Sequence, residues 1–151
     1  MPVGTHPLTT FNFKVQLKLR DESQPFCEGE FSEVSGLEAG IDVQTIREGG
    51  NNARQIHLIG PVSYGQLTLK RGMTTNFDLW RWFSSVQQDR SLRASGEIVM
   101  LSSDRRIESV RIALSGCLPL KIKAPALNAM DGLIAIEEMQ IAYETMDIVT
   151  D

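Results

Sequence analysis

Phe31 to Met73 reads FSEVSGLEAGIDVQTIREGGNNARQIHLIGPVSYGQLTLKRGM, and its alternation decides the fold. Leu37, Ala39, Ile41 and Val43 fall on one side of an extended chain, and Glu38, Asp42 and Gln44 on the other. Successive strand residues point to opposite faces, so this is an antiparallel strand with one apolar face. Arg47-Glu48-Gly49-Gly50-Asn51-Asn52 follows. Glycine and asparagine tolerate positive φ, so a reversal belongs there. Ile56 to Ile59 is a short apolar run that Gly60-Pro61 should break. Tyr64, Leu67 and Leu69 mark the next strand, which ends in Lys70–Arg71, read as a solvated strand end or a contact for an acidic partner. The stretch is therefore a set of antiparallel strands joined by a long polar excursion. It presents a surface and holds no catalytic pattern.

Working outward, Phe11 to Arg20 alternates strictly. Phe11, Phe13, Val15, Leu17 and Leu19 take one face; Asn12, Lys14, Gln16, Lys18 and Arg20 take the other. A second strand is expected over Cys27–Val34. Thr74 to Asp89 predicts the one helix, with Thr74 or Thr75 as its cap and Asp78 favouring the positive end of its dipole. Leu79, Trp80, Trp82, Phe83 and Val86 span an arc of roughly 160° on its wheel, the stripe expected to face a core. Residues 96–102 and 107–114 predict a hairpin across the polar link Ser103-Asp104-Arg105-Arg106. Cys117–Lys123 predicts a further strand, in which Pro119 signals an edge or a break. Leu133 to Tyr143 suits strand or helix. Strand is preferred, although Glu137 falls on the apolar face. Residues 1–10 predict a flexible arm, and residues 11–151 a single mainly β domain with one helix.

The composition is that of an ordinary globular protein: 42% hydrophobic, 23% charged, net charge −4. A negative balance argues against sequence-independent nucleic-acid binding, which needs a basic face. No apolar run approaches a membrane helix, and the N-terminus lacks the apolar core of a secretory signal. Cys27 and Cys117 lack zinc spacing and are expected as free thiols. No nucleophile elbow, phosphate loop or dinucleotide fingerprint occurs. Glu137 and Glu138 are adjacent, so on a strand they face opposite ways and form no carboxylate dyad. Neither an enzyme nor a cofactor or metal site is expected. A ligand-binding barrel is the alternative of another class, but Trp80, Trp82 and Phe83 are expected to fill its interior.

In order along the chain, several pieces resemble the contractile phage tail tube family. Phe11-x-Phe13-x-Val15 resembles its opening strand, and Phe31-Ser-Glu-Val-Ser-Gly-Leu-Glu38 the strand that follows. Arg47-Glu-Gly-Gly-Asn51, His57-Leu58, Tyr64 and Leu67-Thr-Leu-Lys-Arg-Gly72 match its central run. Trp80 and Trp82 sit where its helix carries tryptophan. Pro119-x-Lys121, Leu127-Asn-Ala129, Ile136-Glu137 and Tyr143-Glu144 resemble its C-terminal pattern.

The resemblance implies two antiparallel sheets in a barrel or sandwich, with subunits in homohexameric rings that stack into a tube. Sheath and baseplate proteins are implied as partners, with effectors or a genome as cargo in the lumen. A particle assembled in the bacterial cytoplasm is implied too. The same fold also builds the baseplate-proximal initiator ring. On this reading Arg47, Glu48, Gly49, Gly50, Asn51 and Asn52 are the candidate stacking residues. Asn12, Lys14, Gln16, Lys18, Asp42 and Gln44 are the candidate lumen residues.

Overall fold

The alternation of the first strand translates directly into packing. In the computed structural model, which describes residues 12–47, 49, 54–101, 108–127, 129–130, 132 and 134–149, β1 spans Asn12–Leu19. Val15 and Leu17 are buried on one face, and Lys14, Gln16 and Lys18 lie on the other, half-exposed. The elements that follow are β2 (Cys27–Glu30), β3 (Glu33–Ser35), β4 (Ala39–Arg47), β5 (Gln55–Tyr64), β6 (Leu67–Gly72), α1 (Asp78–Gln88), β7 (Ala94–Leu101), β8 (Glu108–Lys123), β9 (Ile136–Ala142) and β10 (Thr145–Val149). The expected arm over residues 1–10 lies outside the described residues.

All ladders are antiparallel. Eight strands form one sheet in the order β2-β1-β7-β8-β9-β6-β3, with β10 also on β8; β4 and β5 form a separate two-stranded sheet. The architecture is the expected mainly β, two-sheet fold with one helix, and no closed barrel forms among the described residues. The large sheet has two wings. In one, β2, β1, β7 and β10 gather around the first part of β8; in the other, β3, β6 and β9 gather along its end. Val15, Leu17, Ile98 and Leu114 from the first wing meet Leu67, Leu69, Met139 and Ile141 from the second in one core. The wings part at Gly116, whose φ of 62° suits glycine, and whose missing Cβ leaves room for the Glu144 side chain.

Several boundaries differ from the sequence reading. The expected strand over Cys27–Val34 is two strands: β2 pairs with β1, β3 pairs with β6, and buried Phe31 crosses between them. Alternation reports a strand's faces but not a change of partner. The helix begins at Asp78 rather than Thr74, with Phe77 as its N-cap and no side-chain cap. Thr74 Oγ1 accepts from the Asn76 N–H at 3.1 Å, and Asn76 Oδ1 accepts from the Asp78 N–H at 3.2 Å. These local bonds hold the backbone out of the helix. Gly60-Pro61 does not end a strand. β5 runs through it as a bulge opposite Asp42, where a Cβ on Gly60 would come within 2.9 Å of the Asp42 carbonyl oxygen. β8 is one strand of 16 residues rather than two. Pro119 lies beyond Cys117, the last residue of β8 that β7 pairs, so only β9 holds the strand there. The link Ser103–Arg106 lies outside the described residues, while β7 and β8 pair as the expected hairpin.

Candidate functional site

The β4–β5 hairpin stands apart from the large sheet. Its register pairs Ile41 with Val62 and Val43 with Ile59, so these four β-branched side chains share one face. They are 53%, 50%, 54% and 78% exposed respectively. Ile46 and Leu58 are exposed on the opposite face. The sequence reading expected a polar excursion beyond a strand with a buried apolar face. Instead the apolar face of β4 and β5 has no core of its own to cover. Alternation shows that a strand has an apolar face, not that this chain supplies its cover.

The neck of the hairpin is narrow. Gly36 has φ 90°, and a Cβ there would fall 1.8 Å from the Gln66 carbonyl oxygen. At Gly65 a Cβ would fall 2.5 Å from Glu38 Cγ. The Gly65 N–H donates to the Glu38 carbonyl at 3.1 Å. Tyr143, between β9 and β10, reaches this neck with its hydroxyl, and its ring tilts against Tyr64 at 5.5 Å between centroids.

Of the candidate stacking residues, Arg47 ends β4 and pairs with Gln55, and Gly49 is an exposed turn residue. Glu48, Gly50, Asn51 and Asn52 lie outside the described residues. Of the candidate lumen residues, Asn12 starts β1, while Lys14, Gln16 and Lys18 share a face with Glu28, Glu30, Glu97 and Asp147 across the ladders. Lys14 and Glu28 pair at 2.7 Å, so this wall carries both signs of charge. Asp42 and Gln44 lie on the separate sheet, exposed, on the side of the hairpin away from Ile41 and Val43.

The basic pair at the end of β6 resolves differently. Lys70 is partly exposed and pairs with Glu33 at 3.4 Å. Arg71 turns inward, and so corrects the expectation of a solvated strand end or partner contact. Its Nε donates to Glu137 Oε1 at 2.6 Å, its Nη2 donates to Asp78 Oδ1, and its guanidinium lies 5.1 Å from the Phe31 ring centroid. Glu137 Oε2 accepts from Trp80 Nε1 at 2.7 Å, and Asp78 Oδ1 also accepts from the Leu79 N–H at 2.7 Å. Burial alone would lower the Arg71 pKa, but its hydrogen bonds to the carboxylates of Asp78 and Glu137 raise it, so the cation persists. Glu137 was legible as an oddity on an apolar face; its partner is 66 residues away and was not.

On the helix, Leu79 and Trp82 are buried, Phe83 and Val86 pack at the margin of the core, and half-buried Trp80 is fixed by Glu137. Trp82 also tilts against Phe26 at 5.2 Å between centroids.

Nothing in this arrangement activates a nucleophile. Burial, with Asp78 adding to it, pushes the Cys27 thiol up to about 12; burial, then Glu144, does the same to Cys117. Both thiols are free and in the core, whereas His57 sits on the exposed hairpin beside Thr45. Among the described residues, no helix is long and apolar enough to cross a membrane.

The family profile of the T4-like virus tail tube protein gp19 matches residues 9–147. The chain belongs to this tail tube family. Its members are structural components rather than enzymes. A chain in the six-fold symmetrised baseplate of the anti-feeding prophage has 25% identity and a TM-score of 0.82, the match covering 97% of both chains. A chain of the sheath–tube complex of an extracellular contractile injection system, PVC, in its extended state has 19% identity and a TM-score of 0.81, covering 97% of this chain and 94% of that one. A chain from the cap that terminates the anti-feeding prophage tube has 20% identity and a TM-score of 0.82, covering 100% and 96%. These last two establish the shared fold. No curated protein matches in sequence.

Proposed function

We propose that this chain is the repeating subunit of an inner tail tube, closing into homohexameric rings that stack around a lumen for cargo. The hairpin carries this reading. A lone two-stranded hairpin is marginal in water, and this one exposes Ile41, Val43, Ile59 and Val62 together. A second copy of the chain supplies the missing cover. Contacts between unlike surfaces close into rings or run on as filaments, and the six-fold symmetry of the similar baseplate chain supports six subunits. The candidate stacking residues Arg47 to Asn52 then meet the next ring. The polar wall of Asn12, Lys14, Gln16 and Lys18, with Asp42 and Gln44, faces the wet lumen. Sheath and baseplate proteins are the outer partners, as the assemblies of the similar chains support. The particle assembles in the bacterial cytoplasm, from a single domain over residues 11–151.

A second reading, the baseplate-proximal initiator ring, is favoured by the 25% identical chain being part of a baseplate. Negative-stain electron microscopy of the concentrated protein, with its mass in solution, separates the two. Long hollow tubes are expected for the repeating subunit, and rings that never stack would indicate the initiator. A monomer that stays inert even with purified baseplate would refute assembly altogether.

A further inference from the structure

The hairpin is a long lever on a thin neck. β5 has ten residues, so at the usual rise the hairpin reaches about 30 Å, and a 10° turn at the neck moves its tip by about 5 Å. A displacement of that size takes an apolar face off its partner. Whatever fixes the neck therefore fixes where the hairpin docks.

The entering segment, Gly36 to Glu38, and the leaving segment, Gly65-Gln66, run closer together than any side chain permits. One backbone bond joins them, from the Gly65 N–H to the Glu38 carbonyl. The remaining polar hold comes from the opposite end of the sequence. The Tyr143 hydroxyl accepts from the Glu38 N–H at 3.2 Å and donates to the Gly36 carbonyl at 3.0 Å, with the Glu38 carbonyl at 3.2 Å as a second acceptor. Tyr143 is itself immobilised. It is buried, its ring tilts against Tyr64, and the next residue anchors the chain through the Glu144 N–H to the Ser115 carbonyl at 2.8 Å. The hydroxyl thus ties the hairpin to the point where the two wings of the large sheet part. An apolar contact at this place would stabilise the core equally well but would not set an angle. The hydrogen-bond directions do.

We propose that Tyr143 is a positioning residue whose hydroxyl sets the direction of the β4–β5 hairpin, and so its docking on a second copy of this chain. The inference rests on the assembly reading above. Tyr143→Phe keeps the ring and removes only the directional bonds. Tyr64→Phe is the control, because its hydroxyl has no partner among the described residues. The concentration at which rings or tubes first appear, by light scattering and electron microscopy, is compared with each monomer's unfolding midpoint.

The expected result is a threshold raised about tenfold or more by Tyr143→Phe and left within about twofold by Tyr64→Phe, with both monomers folded. Assembly of Tyr143→Phe at the wild-type threshold overturns the proposal while leaving the assembly reading intact. Wild-type protein that forms no ring even on a baseplate removes both. Should Tyr143→Phe fail to fold, native hydrogen exchange of the wild-type monomer decides. A Glu38 amide, whose N–H donates to the Tyr143 hydroxyl, exchanging about a hundredfold more slowly than that of the turn residue Gly49 supports the clamp, and equal exchange overturns it.

Discussion

Replacing Arg71 with alanine tests the buried cluster that joins β6, β9 and the start of α1. In the native protein the Arg71 side chain is 13% exposed and the side chains of its partners Asp78 and Glu137 are 8% and 2% exposed. Arg71→Ala leaves both carboxylates away from water without their cation. Breaking a buried pair in this way costs about 3–5 kcal/mol, most of it the penalty of the uncompensated charge. Trp80 Nε1 still serves Glu137 and the Leu79 N–H still serves Asp78, so the lower half of that range is expected. For a chain of this length that is a fall in the thermal midpoint of about 10 °C. Urea unfolding of monomer at low protein concentration is the assay, repeated at high salt. A surface pair would weaken with salt, whereas this loss should not change. Arg71→Lys should recover less than half, because an ammonium cannot reproduce the fork that serves both carboxylates. A loss under about 1 kcal/mol for Arg71→Ala, or one that vanishes in salt, would show that Glu137 and Asp78 reach water and that the cluster is not a buried one.

Other perturbations have equally definite outcomes. Both cysteines have folded-state pKa values raised from 9.0 to about 12, so the unfolded chain ionises first; stability is full below pH 9 and is lost as pH rises towards 12. At pH 10 the loss is on the order of 2–3 kcal/mol relative to pH 8, and urea unfolding that is flat across this interval would place the thiols in contact with water. Gly36→Ala should cost about 2 kcal/mol or more, since φ 90° and the Gln66 carbonyl both exclude a Cβ; circular dichroism on heating checks it. Ile59→Lys should leave the monomer midpoint within about 2 °C yet abolish rings and tubes in electron micrographs, and tubes of normal length would put the docking face elsewhere.

What could be read from the residues was the local period. β1 and the start of β8 followed from alternation, β7 from its place across a polar link from β8, and the helix from its apolar stripe. Glu137 on the apolar face of β9 already hinted that the face was not purely hydrophobic. The reading failed where a long-range partner decides. The inward turn of Arg71 depends on Asp78 and Glu137 converging from two other elements, and no spacing encodes that. The chain from Cys27 to Val34 changes wings at Phe31, where the inward residues step from even spacing (Cys27, Gly29, Phe31) to the odd step at Val34; such a slip does not name the new partner. The start of α1 slipped because Thr74 and Asn76 bond to nearby backbone before a helix can begin. The hairpin misled for another reason. An apolar face left exposed has the same signature as one that covers the chain's own core.

β8 has a mechanical consequence. Its first part is bonded on both edges, to β7 and to β10, and its end continues into the other wing beside β9. A push or pull along this strand loads the flanking hydrogen bonds in shear, many at once, rather than peeling them open one after another. Load entering one wing is handed to the other along a single continuous backbone. A chain wired in this way behaves as a strut along β8, stiff to load applied end to end.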